Sequence, residues 1–150
     1  MDFSKGLSFK LGETDFLFRI DGLCEFNTEG SSMHEYCLNE TVKVKNWCFD
    51  YNWSTSSFCY DEIIYLRESL DKLLSDNIKK ETWINFLEPN YCFNLFPKTE
   101  HTNESITFEI AIRDKSWAYT DETYEIYFSG SKIEKWIDYL DYIIMKYKKQ

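Results

Sequence analysis

The chain has 150 residues, 43% of them hydrophobic and 29% charged, with five glycines and two prolines. That is the composition of a single globular domain over residues 1–150, and it excludes disordered, low-complexity and fibrous classes. The net charge of -9 excludes nucleic acid and anionic membrane as partners, because both are bound by lysine and arginine against phosphate.

Five cysteines, none in a C-x-x-C spacing, leave an odd number. The opening Met-Asp-Phe-Ser-Lys-Gly has no apolar signal core, and no apolar run approaches the roughly 18 residues of a membrane span. A cytoplasmic protein with free, mostly buried thiols is expected. The 19% aromatic share reads as a core rich in Phe and Tyr.

In chain order, Leu7–Leu11 and Phe16–Ile20 alternate around Gly12–Asp15 and predict a hairpin. Asp21-Gly22 is placed to kink or end the second strand, which Leu23–Phe26 extends. Residues 27–33 are polar and predict an exposed, mobile loop. Val42 and Val44 alternate with Lys43 and Lys45, a half-buried strand. Asp50–Thr55 reads as a polar connection and Ser57–Tyr60 as a brief strand. Asp61 is the expected N-cap of a helix whose stripe is Ile63, Leu66, Leu70, Leu73 and Leu74, ending near Asp76-Asn77.

Trp83–Leu87 and Tyr91–Phe96 predict a second hairpin, with Pro89 in its turn. Ile106, Phe108, Ile110 and Ile112 alternate with Thr107, Glu109, Ala111 and Arg113, giving the clearest strand. Its partner is Tyr124–Phe128, across a loop holding Asp114, Trp117, Tyr119, Asp121 and Glu122. Ser131 with Glu134 forms a capping box ahead of a final helix whose apolar face includes Ile133, Trp136, Ile137 and Leu140. Hairpin-joined strands imply an α+β fold: a mainly antiparallel β-sheet with two amphipathic helices packed on one face.

Candidate chemistry is sparse. His34, Cys37, Cys48 and Cys59 match no zinc-binding spacing. Neither histidine, His34 or His101, is placed to activate a cysteine. The adjacent pairs Asp61-Glu62 and Asp121-Glu122 do not make a two-carboxylate cleft, and no phosphate-binding or serine-hydrolase motif occurs. No metal, cofactor or catalytic residue is expected.

What stands out is charge. From Glu13 to Glu62, ten acids face only Arg19, Lys43 and Lys45. Such a field attracts a basic protein and speeds its capture. Acidic and aromatic residues in polar stretches then select Glu29, Glu35, Asp50, Tyr51, Trp53, Trp117, Tyr119, Asp121 and Glu122 as the expected partner-binding residues.

The ordered features resemble one family. They are a strand followed by Asp50-Tyr-Asn-Trp53, a short strand running directly into a helix at Phe58-Cys-Tyr-Asp-Glu-Ile-Ile-Tyr-Leu66, and the segment Trp83-Ile-Asn-Phe-Leu-Glu-Pro-Asn-Tyr-Cys-Phe93. An alternating strand and a last helix follow. This order is similar to that of the WapI-family immunity proteins, small bacterial proteins that accompany secreted polymorphic toxins. The resemblance implies a non-catalytic antidote that binds a cognate toxin domain, often a nuclease with a basic surface. The rival expectations are an acidic interaction module or scaffold for another basic partner, and a small enzyme with a perturbed carboxylate or thiol in a pocket.

Overall fold

A computed structural model describes residues 2–24, 36–86, 90–114, 116 and 118–148. Period-two stretches in this sequence become strands that pair with their neighbours in the chain. The first four are β1 (Leu7–Leu11), β2 (Thr14–Leu23), β3 (Cys37–Lys45) and β4 (Asp50–Cys59), followed by the helix α1 (Tyr60–Leu74). The next four are β5 (Thr82–Asn85), β6 (Tyr91–Phe96), β7 (Ser105–Arg113) and β8 (Tyr119–Ser129), followed by α2 (Ser131–Tyr147). The class is α+β and every strand pairing is antiparallel. The strands form two four-stranded meanders, β1-β2-β3-β4 and β5-β6-β7-β8, where the sequence suggested one sheet.

Two compact units result, Met1–Ile64 with Asp138–Gln150, and Tyr65–Ile137. In the first, Phe18 meets Phe58 edge-on at 5.6 Å and Tyr139 at 6.1 Å. The β2 ladder shifts register between Ile20 and Gly22, so Asp21-Gly22 kinks the strand without ending it. There the Ile20 amide donates to the Tyr139 hydroxyl at 2.8 Å, and burial pushes that hydroxyl's pKa upward. Gly6 enters β1 at φ +96°, where a Cβ would lie 2.8 Å from Arg19 Cβ and 2.9 Å from the Phe18 carbonyl. Only glycine suits both demands.

The second unit is centred on Trp136, fully buried. Phe93 and Phe128 meet its ring edge-on at 5.2 and 5.5 Å, and Phe108 stacks on it at 6.0 Å. Leu66, Leu70 and Leu73 of α1 are buried as their spacing predicted.

Three local expectations need correction. Asp50–Thr55 is strand, not connection: Asp50, Asn52 and Ser54 are exposed while Tyr51, Trp53 and Thr55 are half-buried. The period of two was present, but its exposed members are turn-favouring residues that disguised it. Tyr119 likewise begins β8 and does not belong to the preceding loop. Asp61 is not the N-cap, since the helix begins at Tyr60 and Glu62 Oε1 accepts from the Cys59 amide at 2.9 Å. A glutamate three residues into the helix thus does the reciprocal half of a capping box. The α1 terminus closes as predicted, with Asp76 at φ 62° and the Asn77 amide on the Lys72 carbonyl at 2.8 Å. The Pro89 turn and the 27–33 loop lie outside the described residues.

Candidate functional site

Each sheet has a solvent side, and the two sides differ in chemistry. On the first, strand register sets Lys10, Asp15, Lys45 and Asp50 in one row across β1, β2, β3 and β4. All four are exposed, and Lys10 Nζ stands 3.8 Å from Asp15 Oδ1. Beside them Asp21 accepts from Arg19 and, at 2.6 Å, from the Thr41 hydroxyl, which is 2.8 Å from Ser54 Oγ. Acid and base alternate along this row, so the row is neutral by construction. A shallow depression of about 470 Å³ on it is lined by Lys10, Lys43, Lys45 and Asp15 among others.

On the second sheet, Phe93, Leu95, Ile106, Phe108, Ile126 and Phe128 are buried, so the residues between them belong to the opposite side. One register row there is Trp83, Asn94, Thr107 and Tyr127. Its ends are exposed, Trp83 by 50% and Tyr127 by 59%, while Asn94 and Thr107 between them are buried. The adjacent row is Asn85, Cys92, Glu109 and Glu125. Neither row contains a lysine or arginine.

Glu109 is half-buried. Its pKa is raised by burial and then by Glu125 opposite, against hydrogen bonds from Cys92 and Thr123 that lower it. Burial, followed by Glu109, pushes the Cys92 thiol up to about 12. A cavity of about 210 Å³ opens beside them, lined by Asn85, Phe86, Asn90, Tyr91, Cys92, Glu109 and Ala111. In the neighbouring row Asn94 Nδ2 donates to Glu81 Oε1, while the buried Asn94 Oδ1 has no hydrogen-bond partner among the described residues.

The residues singled out by sequence fall in several places. Asp50 lies in the solvent row of β4, but Tyr51 and Trp53 pair with the buried Val44 and Val42 and therefore share the opposite face. Tyr51 also stacks on Phe49 at 6.2 Å. Tyr119 is 44% exposed and is held from β7 by Arg113, whose guanidinium sits 4.0 Å from its ring centre. Arg113 also donates to Asn90 Oδ1 at 2.6 Å. Asp121 and Glu122 are exposed in β8, where the four steps from Tyr119 to Thr123 face the two from Arg113 to Ala111, a bulge. Glu29, Glu35 and Trp117 lie outside the described residues.

Trp83, Asn94, Glu109, Glu125 and Tyr127 are not among the residues expected from sequence. All are alternate members of strands located there, so the period that found the core also held them; what it lacked was the register that brings them together.

For the cysteines, Cys37 and Cys59 are cross-strand partners, the Cys59 thiol donates to Glu62 Oε1 at 3.0 Å, and burial raises its pKa to about 12. Cys48 is exposed in the β3–β4 turn, its amide on Asn46 Oδ1 at 3.0 Å. Among the described residues no group of three His, Cys, Asp or Glu could hold a metal ion. Nor is any helix among them long and apolar enough to cross a membrane.

Against known families, the model of the Immunity protein WapI-like family matches residues 7–148. The chain belongs to that family. No curated protein and no solved structure matches it. Membership in the WapI-like family makes this an immunity protein, a class that binds a cognate toxin.

Proposed function

We propose that this WapI-like immunity protein neutralises a basic, nuclease-type toxin domain by stoichiometric binding in the cytoplasm, without performing chemistry itself. The family match over residues 7–148 carries the reading. The net charge of -9 adds the partner's sign, since an acidic antidote is drawn to the basic surface with which a nuclease holds its substrate. The expected interface residues Asp50, Tyr51, Trp53, Tyr119, Asp121 and Glu122, with Glu29, Glu35 and Trp117, belong to this proposal.

The cavity beside Cys92 and Glu109 is one place where an enzyme reading could stand. Its roughly 210 Å³ falls below the ~300–1,000 Å³ common for small-molecule sites. A thiol pushed up to about 12 is protonated at neutral pH, the reverse of an activated nucleophile.

Co-expression with the toxin domain encoded beside the gene tests the proposal: restored growth supports it, and continued killing by a soluble, well-expressed antidote overturns it. Association measured at rising ionic strength tests the choice of a basic partner. The on-rate should fall steeply with salt; an on-rate indifferent to salt would remove that choice.

A further inference from the structure

The solvent side of the β5–β8 sheet carries three features that its own fold leaves unanswered. First, Glu109 and Glu125 are directly opposed on β7 and β8. Like charges in that relation repel, at a cost of roughly 0.2–1 kcal/mol. The neighbours that act on Glu109 are burial, Glu125, Cys92 and Thr123, and none of them supplies a positive charge. Second, and independent of the acids, Asn94 Oδ1 is buried on this side with no donor among the described residues. An unsatisfied buried acceptor costs about 1–3 kcal/mol until a donor reaches it. Third, two large aromatics, Trp83 on β5 and Tyr127 on β8, stand exposed at either end of the row that contains Asn94. Three strand spacings separate them, roughly 14 Å, with the low polar side chains Asn94 and Thr107 between.

We propose that the toxin's anchor lies on this face, whatever further contacts it makes elsewhere, and that a cationic side chain of the toxin enters the trough between Trp83 and Tyr127 to meet Glu109, Glu125 and Asn94 Oδ1. The proposal rests on the antidote reading above and adds the surface and the chemistry of its anchor. A guanidinium fits best. Its five N–H donors can serve two carboxylates and an amide oxygen together, and its flat cation lies well against aromatic rings. The incoming charge removes the Glu109–Glu125 repulsion, so an arrangement that costs stability in the free antidote becomes favourable in the complex. The other sheet's face has no such deficit, since Lys10, Asp15, Lys45 and Asp50 answer one another there.

The test uses the full-length antidote and the toxin domain encoded beside it, with affinity read by calorimetry. The double variant Glu109→Gln/Glu125→Gln keeps size and shape and relieves the repulsion, so it should melt no lower than the parent. It should bind at least about 30-fold more weakly, the lower end of what losing one side of a buried, hydrogen-bonded charge pair costs. Trp83→Ala should weaken binding by about tenfold or more, while Lys43→Gln on the other sheet should change it less than threefold. If the parent binds tightly and the double variant binds within threefold of it, the docking surface is wrong while the antidote reading stands. If the parent does not bind the toxin at all, the antidote reading fails first and the inference with it.

Discussion

Both units present a four-stranded antiparallel meander that leads into a helix, yet their solvent faces treat charge in opposite ways. Across β1 to β4 the register alternates Lys10, Asp15, Lys45 and Asp50, so each carboxylate has a cation beside it. Across β6 to β8 the corresponding kind of row places Cys92, Glu109 and Glu125 side by side. The chain as a whole is acidic, but that does not explain the contrast, because Glu13 to Glu62, where ten acids meet only three bases, supplies most of the balanced row. Where charge only has to keep a sheet soluble it is balanced locally. The imbalance beside a buried acceptor and exposed aromatics is what the proposed docking of a partner would answer.

The strongest way to break the comparison is to remove the centre of the second unit. Trp136→Ala takes away the ring that Phe93, Phe108 and Phe128 surround and should cost about 3–5 kcal/mol, read as a lower urea midpoint. Both α1 and α2 contribute residues to both units. We therefore expect the whole chain to unfold in one transition as a single domain, with calorimetric and van't Hoff enthalpies equal. Two separate transitions would show that the units are independent and the comparison one between two domains.

A smaller effect tests the first unit alone. Gly6→Ala places a Cβ against Arg19 and the Phe18 carbonyl at positive φ and should destabilise by about 1–3 kcal/mol.

The smallest changes sharpen the contrast itself. Lys45→Gln interrupts the alternating row and should cost roughly 0.2–1 kcal/mol, whereas Glu125→Gln should gain a similar amount. A matching sign for the two would erase the distinction between the faces. pH separates them further. Because the folded-state pKa of Glu109 is raised, its protonated form is the one favoured by folding. Its contribution is full below the ordinary glutamate pKa and is lost as pH rises through the raised value. Glu109→Gln should therefore match the parent in strongly acid solution and become the more stable of the two on approaching neutrality, as followed by urea midpoints at successive pH values.

Much of this fold was legible because its strands pair with sequence neighbours and its helices carry long apolar stripes. Ile106 to Ile112 and the stripe through Trp136 needed only their periods. Asp50–Thr55 was missed because Asp, Asn and Ser on the solvent side of an edge strand look like turn chemistry. The division into two sheets depends on which strands do not pair, a tertiary fact that no local pattern encodes. The same limit applies to which residues share a face. Asp50, Tyr51 and Trp53 are adjacent in sequence, but a strand sends neighbours to opposite faces. Glu109 and Glu125, sixteen positions apart, are brought together only by the hairpin's register.

The hydroxyl of Tyr139 that receives the Ile20 amide also sets an order of events during synthesis. The first unit's sheet emerges from the ribosome early, but residues 138–150 belong to that same unit and follow all of the second. Phe18 and Phe58 are both synthesised well before Tyr139, whose ring also packs on Phe18. The unit that begins first therefore finishes last, so protection against the toxin can be complete only after translation has passed the second helix.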